Sequence, residues 1–263
     1  MNINKTNTQG GFTLIELVMV IVILGILALG TTRYIVQSVE QYTQSADRAK
    51  LIAAGRVAVE KITRRLRNAL PNSVRVSASG LCIEYFPILA ATSYQGVLPA
   101  ALNTISTASF TLSSAPTNYA VIAALAPSEL YKDSYSTAEV IAQTTIDSPG
   151  SRTDIPLTSS HSFSRTSPAQ RVYLVDKPER FCASNNALTF YTGYSINNTF
   201  VEGSPPGALA SLIAENIDIT DPQVFEYVPG TQVRNALVNV SLNLLRSGDP
   251  VKISHTVQIR NVP

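Results

Sequence analysis

The chain has 263 residues, 14% of them charged, with 20 Lys and Arg against 18 Asp and Glu for a formal net charge of +2. That balance, with no basic cluster interleaved with aromatic residues, argues against a nucleic-acid partner. Only two histidines, His161 and His255, are available as near-neutral acid–base groups, which leaves little material for catalysis.

The first element is predicted at Gly11-Phe12-Thr13-Leu14-Ile15-Glu16, which runs straight into Leu17-Val18-Met19-Val20-Ile21-Val22-Ile23-Leu24-Gly25-Ile26-Leu27-Ala28-Leu29-Gly30. Between Phe12 and Thr32 the one charge is Glu16. A helix over 12–32 would cover roughly 30 Å, the thickness of a bilayer's hydrocarbon core. A carboxylate inside such a segment costs on the order of 2–3 kcal/mol even on the gentlest insertion scales, so Glu16 is a functional candidate by default. Two plainer readings compete. Lys5 with the apolar run 17–29 and Ala28-Leu29-Gly30 fits a cleavable secretory signal, but leaves Glu16 unexplained. A simple signal anchor would let Glu16 snorkel to the headgroups. Lys5 alone is basic ahead of the run, whereas Arg33, Arg48, Lys50 and Arg56 follow it. Taken alone, the positive-inside rule would place the following domain in the cytoplasm.

The stretch from Gly11 to Glu16 resembles the N-terminus of a type IV prepilin: a short polar leader ending in Gly, then Phe, then Glu at the fifth position after the junction. The resemblance implies a leader over residues 1–11 and cleavage between Gly11 and Phe12 by prepilin peptidase. It also implies N-methylation of Phe12, and a single-pass bacterial inner-membrane protein whose C-terminal domain is periplasmic before extraction into a pilus. Glu16 would then set subunit register by meeting the new α-ammonium of Phe12 on a neighbouring chain. The implied partners are the major pilin and other minor pilins, the inner-membrane pilus assembly platform and membrane lipid, with no small-molecule substrate and no cofactor.

Residues 33–70 continue a helical pattern. Ile35, Val39, Tyr42, Ala46, Ala49, Ile52, Val59, Ile62, Leu66 and Leu70 recur at three- and four-residue steps, the stripe of an amphipathic helix. Pro71 is expected to end it. Lys61, Arg64, Arg65 and Arg67 crowd the last turns; cations favour a helix C-terminus and are expected to face water there, although an acidic site on a neighbouring subunit is the alternative.

Beyond Pro71 the period shifts towards two. Strands are predicted at 73–76, 81–86, 109–112, 119–124, 172–175, 188–191 and 223–228. The strongest unit is a hairpin: Ala236, Val238, Val240, Leu242 and Leu244 alternate with more polar neighbours, Ser247-Gly248-Asp249-Pro250 turns the chain, and Val251, Ile253, His255, Val257 and Ile259 return on the same face. That face is expected to pack on the helix stripe over 52–70, with His255 packed inward. Gly203–Gly207 and Pro222 mark loops, and 87–170, rich in Ser, Thr, Ala and Pro, reads as an irregular, partly stranded insertion. Cys82 and Cys182 each lie in a strand-like run. In an exported domain the pair favours a disulfide, the alternative being two buried free thiols.

The fold class is therefore α+β: a long N-terminal helical spine, with a transmembrane half at 12–32 and an amphipathic half at 33–70, on an antiparallel β-sheet domain over 71–263. The arrangement resembles the J-type pseudopilins of type II secretion and, more narrowly, the minor pilins of mannose-sensitive haemagglutinin (MSHA) pili, the latter on Lys61–Ala69, Cys82-Ile83-Glu84-Tyr85-Phe86 and the tail His255–Pro263. No Gly-x-Ser-x-Gly elbow, His-Glu-x-x-His pair, P-loop or Cys-x-x-Cys occurs, so no catalytic residue is expected. Asn216, Asp218, Asp221 and Glu226 could offer oxygens to calcium, but the spacing fits no known loop and no metal site is expected. His161, in a Ser/Thr-rich run, reads as a loop residue. The function classes left open are an assembly subunit, a secretion-system pseudopilin and a membrane-anchored binding module using 87–170.

Overall fold

The computed structural model describes residues 11–98, 101–116, 118–220, 223–230, 234–246 and 248–260. Residues 1–10, which make up most of the expected leader over 1–11, and Asp221, Pro222, Ser247 and the last three residues of the tail lie outside them.

One helix, α1 (Leu14–Arg67), is 54 residues long. Nothing interrupts it, because no proline occurs between Phe12 and Leu70. It stops three residues before the expected Leu70. The amides of Asn68 and Ala69 turn to the carbonyls of Arg65 and Leu66, at 3.0 and 3.1 Å, a tightening common in a last turn. The Leu70 amide then donates to Phe86 O at 2.8 Å, so strand pairing takes over before Pro71 can act.

The chain divides into two compact units, one through Ala49 and one from Lys50 onward. Of the first, every described residue belongs to α1 or its short lead-in, and none is buried. The second begins with the last turns of α1 and continues as β1 (Arg75–Val76), β2 (Cys82–Tyr85), β3 (Ile88–Ser93), β4 (Leu102–Leu112), β5 (Tyr119–Val121), β6 (Ile141–Gln143), β7 (Gly150–His161), β8 (Arg171–Val175), β9 (Glu179–Ser184), β10 (Ala187–Thr192), β11 (Leu209–Glu215), β12 (Phe225–Val228), β13 (Ala236–Arg246) and β14 (Asp249–Ile259).

Two sheets, β1-β2-β9-β10-β11 and β12-β13-β14, share one core with the helix. Leu51, Ala58, Val59, Ile62 and Leu66 join Ile83, Phe181 and Leu188 of the first sheet and Val238, Val240, Leu242 and Leu244 of the second. Their helical spacing presents one apolar face, as the stripe predicts. At Gly55 an added Cβ would lie 2.4 Å from Ile253 Cδ1 and 3.0 Å from Leu244 Cδ1, so the bare backbone is what lets helix and hairpin approach. The hairpin itself runs in unbroken register from Ala236 opposite Ile259 to Arg246 opposite Asp249. Val251, Val257 and Ile259 are buried, but His255 is exposed, against its expected inward packing. β14 is the edge strand of its sheet, and alternation on an edge does not ensure a covering layer.

Region 87–170 is partly stranded, as expected, but better ordered than an irregular insertion. It contributes β3 to β7, which with β8 build the sheets β3-β8-β5-β6 and β4-β7 around a separate core that includes Ile105, Leu112, Ile122, Ile155 and Leu174. Register shifts between Leu102 and Thr104 and between Ser106 and Phe110 break the two-residue period that would have announced β4 and β7.

Candidate membrane and assembly segment

Gly11, Phe12 and Thr13 precede α1 and are exposed. Thr13 caps the helix: the Glu16 amide donates to Thr13 Oγ1 at 3.4 Å and the Leu17 amide to Thr13 O at 3.2 Å. Thr13-Leu14-Ile15-Glu16 thus has the spacing of a capping box, a signal legible in the sequence and missed there. Among the described residues no donor or cation meets the Glu16 carboxylate. An acid in the first turn is favoured by the helix dipole, so Glu16 suits its own helix while no described residue matches its charge.

Around that charge the helix is apolar on every side. Leu17, Val18, Ile21, Val22, Leu24, Leu27 and Leu29 are all exposed, and this is the one helix among the described residues long and apolar enough to cross a membrane. A helix hydrophobic all round finds its cover in lipid or in other chains. Where the run ends, the hydroxyls of Thr31 and Thr32 donate to the carbonyls of Leu27 and Ala28 of the same helix, so neither demands a partner from an apolar surrounding.

Residues 6–32 match the family model of the prokaryotic N-terminal methylation motif. The chain thus carries the N-terminal motif of a type IV pilin-like prepilin, and the matched residues include Gly11, Phe12 and Glu16. The rest of the chain lies outside the match, and no curated protein and no solved structure matches it.

In the second unit, Cys82 and Cys182 are joined by a disulfide and stand opposite each other in β2 and β9, packed with Tyr191, Tyr194 and Phe200. Beside them lies a charged cluster that the sequence reading missed. Glu84, 1% exposed, accepts from Arg180 Nη2 at 2.8 Å and Tyr194 OH at 2.7 Å through Oε1, and from Arg75 Nε at 2.6 Å through Oε2. Arg180 Nη1 continues to Val201 O at 2.6 Å, and Arg75 to the carbonyls of Asn197 and Asn198. A buried guanidinium (Arg180) and a half-buried one (Arg75) on one buried acid, each also holding backbone, fasten segment 197–203 to the first sheet. Glu84 and Arg180 sit one strand-step from otherwise apolar positions, which was the available signal.

The basic helix end faces water as expected, Lys61, Arg64, Arg65 and Arg67 all being exposed, but Arg65 also pairs within the chain. Its Nη1 meets Glu179 Oε1 at 2.8 Å, while Tyr85 OH donates to Glu179 Oε2 at 2.6 Å. Burial, the largest cause, pushes the Glu179 carboxyl above its ordinary pKa, against the Tyr85 hydrogen bond and the Arg65 charge. Burial and the Glu179 charge together push the Tyr85 phenol well up. Arg64 keeps an exposed pair with Glu60.

His161 also departs from expectation. It is 4% exposed at the end of β7 rather than in a loop, its Nε2 3.0 Å from Glu139 O. Of the calcium candidates, Asp218 Oδ1 accepts from Thr220 and Glu226 accepts from Asn239. Among the described residues no cluster of three metal-ligating side chains occurs.

Proposed function

We propose that the chain is a minor pilin, a structural subunit that initiates or caps a type IV pilus of the MSHA class and is most like its MshO subunit. The observation that carries this reading is one acid, Glu16, unmatched near the start of a helix that is apolar on all sides, inside a methylation motif. Prepilin peptidase would cut between Gly11 and Phe12, freeing an α-ammonium that is then N-methylated and keeps its charge. In a bundle of parallel helices the ammonium of Phe12 on one subunit meets Glu16 of the next. An uncompensated charge in apolar surroundings costs several kcal/mol, so the bundle settles where the two charges coincide. The residues after Glu16 then supply packing that tolerates many sequences.

On this reading the protein waits as a single-pass inner-membrane protein with its C-terminal unit in the periplasm, where Cys82–Cys182 can persist as a disulfide, and it works with the major pilin, other minor pilins and the assembly platform. Its role is structural and needs no cofactor. The test is the mass of the first peptide of the mature protein, expected to begin at Phe12 and carry one methyl group. A mature chain starting elsewhere removes the reading. Glu16→Ala should leave a folded membrane protein that enters filaments at least about tenfold less well; normal incorporation would remove the pairing role alone.

A further inference from the structure

A groove of about 860 Å³ opens at the C-terminal end of α1, within the size range of binding clefts, roughly 300–1,000 Å³. Three arginines line it from three elements: Arg67 at the end of α1, Arg171 on β8 and Arg260 just past β14. No Asp or Glu is among its lining residues. Elsewhere in the same unit Arg65, Arg75, Arg165 and Arg180 each hold a glutamate. Arg67, Arg171 and Arg260 are exposed and have no acceptor among the described residues. The helix C-terminus contributes about half a negative charge, which three guanidiniums outweigh. Among the described residues the groove is therefore a positive site without a matching acid, and arginine favours carboxylate through paired N–H donors.

Its floor says what kind of anion fits. Thr256 and Gln258 on β14, and Arg260 just past it, line the groove; β14 is the edge strand of its sheet. An open strand edge offers main-chain donors and acceptors that an extended polypeptide can read by adding a strand. Alternate side chains of such a segment fall on one side at a spacing of about 6.6 Å, so acidic residues at every second position would all face the groove wall.

We propose that this groove docks an extended acidic segment of another protein, with β14 receiving its backbone and Arg67, Arg171 and Arg260 its carboxylates. The proposal goes beyond the assembly reading and needs only the folded second unit. A chain that binds the segment yet fails to enter filaments defeats the assembly reading alone, and the converse defeats this one alone.

The experiment uses the full chain in non-ionic detergent and a fluorescent peptide of alternating Glu and Thr, read by anisotropy. Binding should weaken at least about tenfold when Arg67→Gln, Arg171→Gln and Arg260→Gln are combined, with an unchanged melting temperature, and should not change with Arg64→Gln outside the groove. A Gln-for-Glu peptide, and the Glu peptide with alternate backbone nitrogens methylated, should each bind about tenfold more weakly or worse. The proposal is overturned by an unaltered affinity in the triple variant. Equal binding of the N-methylated peptide, a sulfated polysaccharide or anionic vesicles overturns it too, as does a homodimer of this chain that the triple substitution dissociates.

Discussion

The two parts of α1 obey different rules although no break separates them. From Leu51 to Leu66 the buried positions fall on one face and meet the chain's own sheets. From Leu14 to Leu29 apolar side chains point in every direction and are exposed. The glycines tell the same story. Gly55 is pressed between Ile253 and Leu244, whereas an added Cβ at Gly25 or Gly30 would touch nothing within 4 Å. A stripe is the mark of a helix whose partner is encoded in the same chain; an all-round apolar surface is the mark of one whose partner is lipid or another copy.

That contrast can be broken most sharply at a buried leucine. Leu66→Ala should cost the second unit about 2–5 kcal/mol in denaturant unfolding, and Leu24→Ala should leave the same transition where it was; equal losses would erase the distinction. Next in size, replacing Cys82 and Cys182 together by Ala should lower stability by about 2–4 kcal/mol, a loss read in the second unit by near-ultraviolet circular dichroism and absent if the disulfide does not form in the mature protein. Gly55→Leu should cost about 1–3 kcal/mol through overpacking, with Gly25→Leu neutral for folding; a neutral Gly55→Leu would mean that helix and hairpin do not press together there.

The smallest effect is electrostatic and concerns the salt bridge at the helix end. The folded Glu179 carboxyl titrates above its ordinary value, with burial the first cause. Its contribution to stability is therefore fully present below the unfolded pKa, about 4.3, and is lost as pH rises through the folded value. Glu129 runs the other way: its hydrogen bond to Arg165 is the largest cause of a lowered pKa. Its contribution is present above the unfolded pKa and is lost as pH falls through the folded one. Melting curves of Glu179→Gln should accordingly lack part of the wild-type decline as pH rises above about 4.3; superimposable profiles would show that Glu179 does not titrate in that window.

Much of this is legible in the sequence. The helix, its stripe and the final hairpin follow from periods of 3.6 and 2 sustained over many residues, the most robust signal a sequence offers. The layout of 87–170 was legible only in part: strands expected at 109–112 and 119–124 fall in β4 and β5, whereas β6 is three residues long and the β4–β7 register shifts. His255 was misplaced because alternation tells which side a residue faces and not whether anything lies over that side. At Glu16 the charge was visible, while the Thr13 cap was overlooked beside it.

By itself the sequence determined the apolar run, the acid within it, the stripe that follows and the alternation of the last hairpin, since these are one-dimensional patterns that local geometry converts directly into faces. Only the tertiary structure decided that Glu84 gathers Arg75 and Arg180, that Arg65 pairs with Glu179, and that Arg67, Arg171 and Arg260 share one groove. Apart from Arg75 and Glu84, which are nine residues apart on paired strands, those groups lie scores of residues apart, and the Coulomb energy that gives them meaning depends on distance and burial in space, which no spacing along the chain contains.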